Sequence, residues 1–331
     1  MNGIVEMGLY LIQFLQSLGE WSIPLMKFFS TLGVEEFYLL IAPIIYWCLD
    51  TTIGFRTAMM LMLSSGVNNY LKWLLHGPRP FWVSSQVKAF WHETSFGVPS
   101  GHAQNAVTIW GIIAVSFRKK WLWFVAVTLM FMIGVSRLFL GAHFPHDVLA
   151  GWLVGFVLLV LFIRFEPPVV AWMQKQTTRE KISIFLAVSL GSILLGWAIL
   201  QTLNQWEVPA LWAENALQAF PEEESPNPKS LSSIVTLGGA FFGLASGYVL
   251  LFTQTGFDPS AGSLWTRTGR YLLGVVGIFS LWAGLDALFP DGHTLVPYIF
   301  RYIRYAMVGL WMTYLGPRCF IWLKLAKPSR G

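Results

Sequence analysis

Residues 136–147 read Ser-Arg-Leu-Phe-Leu-Gly-Ala-His-Phe-Pro-His-Asp, and residues 148–163 continue as Val-Leu-Ala-Gly-Trp-Leu-Val-Gly-Phe-Val-Leu-Leu-Val-Leu-Phe-Ile without a charge. A bilayer core of about 30 Å takes roughly 20 helical residues at 1.5 Å each. The apolar run suits lipid, yet Arg137, His143 and Asp147 crowd its mouth. Ionisable groups at membrane depth are expensive, so their presence asks first for a functional reason.

Outward from this stretch, the composition agrees. Of 331 residues, 55% are hydrophobic and 12% charged, about half the charged share of an average soluble domain. The 17 Trp and 26 Phe are what aromatic belts at two water–lipid boundaries require. The pattern predicts an all-α polytopic membrane protein with nine transmembrane helices, near Val34–Leu49, Ile53–Leu75, Ser100–Phe117, Trp121–Leu140, Asp147–Ile163, Ile182–Leu203, Ile234–Gln254, Gly269–Phe289 and Pro297–Leu315. Met1–Gly19 reads as an amphipathic surface helix and not as a cleavable signal peptide. The expected organisation is an interfacial segment over 1–33, a catalytic core over 34–163 and additional helices over 164–331.

The net charge of +5 is no nucleic-acid footprint, because the basic residues sit in short loops between apolar runs. Most of them share one side with Arg118–Lys120, Arg164–Lys181, Arg318 and Arg330, which the positive-inside rule makes cytoplasmic. The N-terminus is then outside and the C-terminus inside. Loops Gly77–Pro99 and Asn204–Ser233 fall on the outer side. The first is aromatic enough to dip into the interface, and the second reads as a solvated connector. Cys48 and Cys319 suggest no disulfide framework.

Polar residues break the apolar pattern at three places on the outer side: Lys72 with Arg79-Pro80, Pro99-Ser100-Gly101-His102, and Ser136-Arg137 with His143 and Asp147. Three cations and two histidines converging on one side ask for an anion, and a phosphoryl group fits. Charge spread over its equatorial oxygens calls for fixed cations and N–H donors. Arg79 and Arg137 can each present two parallel N–H groups, and Lys72 a point charge. Ser100 and Gly101 open a helix whose free N–H groups attract anions. Asp147, four residues after His143, can hold one ring nitrogen and leave the other nucleophilic. His102 can protonate the leaving oxygen and then activate water. No metal or cofactor is expected. Metal ligation by His143, His146 and Asp147 lacks another ligand.

Together these motifs resemble the type 2 phosphatidic acid phosphatase superfamily, whose pattern is Lys-x6-Arg-Pro, Pro-Ser-Gly-His and Ser-Arg-x5-His-x3-Asp. The resemblance implies a helical core, metal-independent chemistry through a phosphohistidine, and the roles above. Lys72 to Val83 and Ala142 to His146 are further similar to the glucose-6-phosphatases of that superfamily. Asp147 belongs to the lipid-phosphatase pattern instead, since glucose-6-phosphatases carry an amide there. The expected substrate is a lipid phosphate or diphosphate. A sugar phosphate is the alternative, and a phosphotransferase variant stays open, as does the oligomeric state. His76, His92, His146 and His293 read as loop or interface histidines, with His146 the best exception because it neighbours the site. Glu93 reads as an exposed loop charge, with contact to substrate as the alternative. Asp286 reads as an ion-pair partner for Arg301 or Arg304, with a secondary headgroup site on the arginines as the alternative.

Overall fold

The computed structural model describes residues 3–329, so Met1, Asn2 and Arg330 of the readings above lie outside the described residues. Among these, helices are the only extended regular elements, with one isolated bridge between Asp258 and Lys327. Helices cover all nine expected stretches. Five are long and apolar enough to cross a bilayer by themselves: Lys120–Phe139, Pro145–Gln174, Thr178–Gln201, Ser232–Gln254 and Leu264–Asp286. A sixth arises if Glu20–Thr31 and Glu35–Cys48, bent by 52°, are taken as one.

Of the others, Leu295–Leu310 and the pieces from Gly101 to Phe117 are short, whereas Thr51–Leu75 is long enough and falls short by its polar residues. Thr51–Leu75 carries Ser64, Ser65, Asn68 and Asn69, and Gly101–Asn105 carries His102 and Gln104 before a π-helical turn, Ala106–Trp110. These side chains bond one another. Asn68 Nδ2 donates to Gln104 Oε1 (2.9 Å), Gln104 Nε2 to the Ser64 carbonyl (2.7 Å), and Ser64 Oγ to Asn105 Oδ1 (2.6 Å). Buried polar groups survive away from water only when paired in this way. Each polar residue lowers the helix's apolar content while leaving it at home inside the protein.

Two compact units result, and the first holds residues 3–38, Leu63–Leu161 and Ala198–Ser230. Within it, the helix from Pro145 packs closely on the helix from Gly101. A methyl group at Gly151 would stand 2.6 Å from the Ser100 carbonyl, and one at Gly155 would stand 2.8 Å from that of Gln104. The opposite face shows Leu149, Leu153 and Phe156, side chains suited to lipid. Helix Gly3–Gln16 buries Leu9 and Ile12 against Val87 and Phe144 and exposes Ile4, Met7, Tyr10 and Phe14, an amphipathic arrangement.

The second unit holds Leu39–Met62, Phe162–Trp197 and residues 231–329. Tyr46 Oη donates to the Thr313 carbonyl (3.1 Å) and Trp47 Nε1 to that of Met312 (2.8 Å). Arg56 grips Glu166 with two bonds of 2.7 Å. Arg304 pairs with Asp286, as the depth of both residues suggested.

Candidate active site

The first unit assembles the site from four segments. At the end of helix Lys120–Phe139, the chain reverses through Gly141, whose φ of 69° strains any residue with a Cβ. A methyl group there would also stand 2.7 Å from the Lys88 carbonyl. The backbone N–H groups of Ala142 and His143 return to the Arg137 carbonyl (3.1 and 3.3 Å), which fixes His143 beside Arg137. Pro145 then starts the next helix, with Asp147 in its first turn.

His143 is almost wholly buried and lies between two partners. Its Nδ1 is 3.4 Å from Asp147 Oδ2, and that oxygen also accepts from the Phe144 N–H (2.9 Å). Its Nε2 lies 3.3 Å from Arg79 Nη1. A guanidinium only donates, and a carboxylate accepts. Nδ1 therefore carries the proton and Nε2 presents a lone pair. Burial, followed by the charges of Arg79, Arg137, Lys72 and His102, holds the imidazole well below its ordinary pKa, so it stays neutral near pH 7.

Arg79 is fully buried and saturated. Nε donates to the Ser95 carbonyl (2.6 Å), Nη1 to that of Ala142 (3.0 Å), and Nη2 to Ser95 Oγ (3.0 Å) and the Phe96 carbonyl (3.2 Å). Lys72 Nζ donates to the same Ser95 Oγ (2.8 Å). Arg137, equally buried, donates from Nη1 to Ser30 Oγ (2.6 Å) and lies over the Trp91 ring at 5.1 Å. Trp91 meets the His102 ring edge-on at 5.9 Å. His102 Nε2 is buried without a hydrogen-bond partner.

Ser100 caps its helix, its Oγ accepting from the Ala103 N–H at 3.4 Å, while its own N–H donates to the Asp147 carbonyl (2.9 Å). That bond ties the Pro-Ser-Gly-His turn to the His143–Asp147 turn. A methyl group at Gly101 would stand 3.1 Å from Asn68 Oδ1. The eight residues singled out from the sequence, Lys72, Arg79, Ser100, Gly101, His102, Arg137, His143 and Asp147, thus lie in one unit, and all but Gly101 are linked directly or through shared partners.

Glu93 departs from its reading as an exposed loop charge. Its carboxylate bridges both arginines, Oε1 to Arg137 Nη2 (2.8 Å) and Oε2 to Arg79 Nη2 (3.3 Å). Burial alone would raise its pKa, but the two guanidiniums outweigh it and hold the carboxyl far below the usual range. Ser30, Trp91 and Ser95 were also missed. Ser95 and Trp91 lie in an irregular loop with no periodicity to mark them, and Ser30 is a lone serine within helix Ile23–Thr31.

The two outer loops differ from expectation as well. Phe81, Trp82 and Phe96 are buried beneath the chain that follows residue 204, and are not spread into an interface. Phe81 meets Phe220 (5.6 Å), and Trp82 meets Trp212 (6.0 Å). Asn215 Nδ2 donates to the Trp82 carbonyl (2.9 Å), and the Asn227 N–H to that of Thr94 (3.0 Å). Residues 204–230 are therefore a packed strap, with a helix at Ala210–Ala219. Within it residues 221–225 are exposed, the solvated turn expected there, while Trp212, Asn215 and Phe220 carry the packing on Phe81 and Trp82.

Residues 54–171 match the family model of the PAP2 superfamily, and residues 235–328 match one described as PAP2 superfamily phosphatase, transmembrane extension. Glucose-6-phosphatase 3 of Homo sapiens is 26% identical over 337 residues, covering 93% of this chain and 92% of that protein. Phosphatidylglycerophosphatase B of Bacillus subtilis (strain 168) is 29% identical over 168 residues, covering 47% of this chain and 80% of that protein. The crystal structure of a transmembrane PAP2 type phosphatidylglycerolphosphate phosphatase from Bacillus subtilis aligns with a TM-score of 0.44 at 24% identity, over 51% of this chain and 89% of that one.

Proposed function

We propose, for a chain that carries a PAP2 superfamily domain and the phosphatase transmembrane extension of that superfamily, that it hydrolyses a phosphate monoester at the membrane through a phosphohistidine on His143. The observation that carries this reading is the placement of Arg79 Nη1 3.3 Å from His143 Nε2 while Arg79 shares a bound carboxylate with Arg137. A nucleophile and an anion clamp adjoin.

In the first step the Nε2 lone pair attacks phosphorus. The bond from phosphorus to the ester oxygen breaks, and that oxygen takes a proton from His102. In the second, His102 removes a proton from water, whose oxygen attacks phosphorus as the P–N bond breaks. Arg79, Arg137 and Lys72 neutralise the equatorial oxygens, assisted by the helix start at Ser100 and Gly101. Asp147 keeps the imidazole oriented and stabilises its positive charge. The catalytic core we read over residues 34–163 keeps its motif residues in the first unit, while Leu39–Met62 falls in the second. With nine crossings the site faces away from the cytoplasm, a reading supported by the bias of basic loops.

The substrate reading we favour is a water-borne sugar phosphate. Glucose-6-phosphatase 3 is similar along nearly the whole chain, and the aromatics expected to reach into lipid are buried under the strap. The second reading, a lipid phosphate or diphosphate, is supported by the carboxylate at Asp147 and by the likeness to phosphatidylglycerophosphatase B over half the chain. Phosphate release in detergent from glucose 6-phosphate, phosphatidate, phosphatidylglycerophosphate and isoprenyl diphosphate, with chelator present, tests both. Turnover of the sugar ester at least tenfold above the lipids is the expected outcome. A lipid ester turned over fastest would reverse the substrate choice, and strict dependence on added metal would overturn the mechanism.

The pH profile follows from the depressed pKa of His143. A base whose pKa is lowered remains unprotonated as pH falls through 6.5, the ordinary imidazole value of about that size. The acid limb of kcat/KM, which reports the free enzyme, should therefore lie below pH 6.5. A limb at or above 7 would show that His143 is not held neutral.

A further inference from the structure

We propose that Glu93 is the resident anion of the phosphate clamp: it occupies Arg79 and Arg137 in the resting protein, and bound phosphate must displace it. This rests on the clamp reading above. The geometry is that of a phosphate stand-in. One carboxylate oxygen takes Arg137 Nη2 at 2.8 Å, and the other takes Arg79 Nη2 at 3.3 Å. These N–H groups belong to the two most deeply buried cations of the site, each side chain with no exposure, whereas Glu93 keeps 21% of its own. The carboxylate thus sits on the outer side of the clamp, anchored by a loop residue. The arginines are held from behind by Ser30, Ser95, Ala142 and Phe96.

Two arginines facing each other in a low-dielectric setting repel and need an anion to stay together. In the absence of phosphate, Glu93 supplies it. A dianionic phosphate brought to the same N–H groups meets a fixed negative charge. Either the carboxylate swings out or the anion is repelled. Apparent affinity then falls by the fraction of molecules whose clamp is free. Once the P–N bond has been hydrolysed, the same carboxylate returns to the arginines and helps expel inorganic phosphate. Glu93 accordingly acts as a positioning residue that trades affinity for release.

The test compares the full-length protein with Glu93→Gln, which keeps size and loses charge. Inorganic phosphate serves as probe, read by direct binding and as a competitive inhibitor of p-nitrophenyl phosphate turnover. Removal of the competitor should tighten phosphate binding by about tenfold, the value for a clamp free in one molecule of ten. A residue that merely braces the arginines would give the opposite sign, so equal or weaker binding by Glu93→Gln overturns the proposal. A second readout needs no variant. Amide hydrogen exchange of residues 92–95 in the parent protein should speed up on adding phosphate, because Glu93 is released. Slower or unchanged exchange overturns the proposal even if the variant fails to fold. A parent protein that neither binds phosphate nor turns over any ester sinks the phosphatase reading itself, and this inference with it.

Discussion

If His143 is the nucleophile we propose, replacing it by alanine should abolish the phosphorylated enzyme and lower hydrolysis by about 10⁴-fold or more, as for a residue that acts within a catalytic unit. The size of the effect follows from the site. Among the described residues no other imidazole has a carboxylate behind one nitrogen and a guanidinium before the other; His146 Nε2 also meets Asp147 Oδ1 at 3.3 Å but faces no guanidinium. His146 is adjacent in sequence but stacks on Phe144 at 5.2 Å with its side chain 43% exposed. His146→Ala should therefore keep at least a tenth of parental turnover. Acid-labile labelling of the protein by radioactive substrate reads the intermediate directly. Retention of label by His143→Ala, or its loss in His146→Ala, would move the nucleophile elsewhere.

Removing His102 separates bond making from bond breaking. The ring sits in the first turn of a short helix, with Nε2 buried and unpartnered and the backbone at Gly33 close behind it. A methyl group at Gly33 would stand 3.3 Å from His102 Cβ. A proton donor matters in proportion to the basicity of the leaving oxygen. With an alkyl ester, His102→Ala should slow phosphoenzyme formation by about 10²–10⁴-fold, the usual span for general acid catalysis. With p-nitrophenyl phosphate, whose leaving group needs little protonation, the loss in that step should be tenfold or less. Hydrolysis of the phosphoenzyme should remain slow with either ester, because the base that activates water is gone. Equal losses in phosphoenzyme formation would assign His102 to positioning instead of proton transfer.

The candidate site was legible because its spacing is local. An offset of four from His143 to Asp147, or of seven from Lys72 to Arg79, places side chains through helix and turn geometry alone. The same holds for Ser100, which caps the helix it opens. Orientation of the spans and their number rested on weaker signals, hydropathy and loop charge. There the polar helices Thr51–Leu75 and Gly101–Asn105 show the difficulty. Asn68, Gln104, Ser64 and Asn105 look costly in lipid, and only their mutual bonds explain why they are tolerated.

Glu93 marks the limit most clearly. In the sequence it is one carboxylate in a loop with no periodicity, indistinguishable from a solvated charge. Its partners, Arg79 and Arg137, lie 14 and 44 residues away, and Ser30 reaches Arg137 across 107. The amino-acid order by itself determined the membrane class, the helical pattern and the set of side chains proposed for the site, because each depends on composition or on neighbours within a few turns. Which carboxylate fills the clamp, which serines brace it and which loop covers it were decided only by the tertiary structure. Those are pairings between distant segments, and their energy exists only after folding has brought the groups together and removed the water between them.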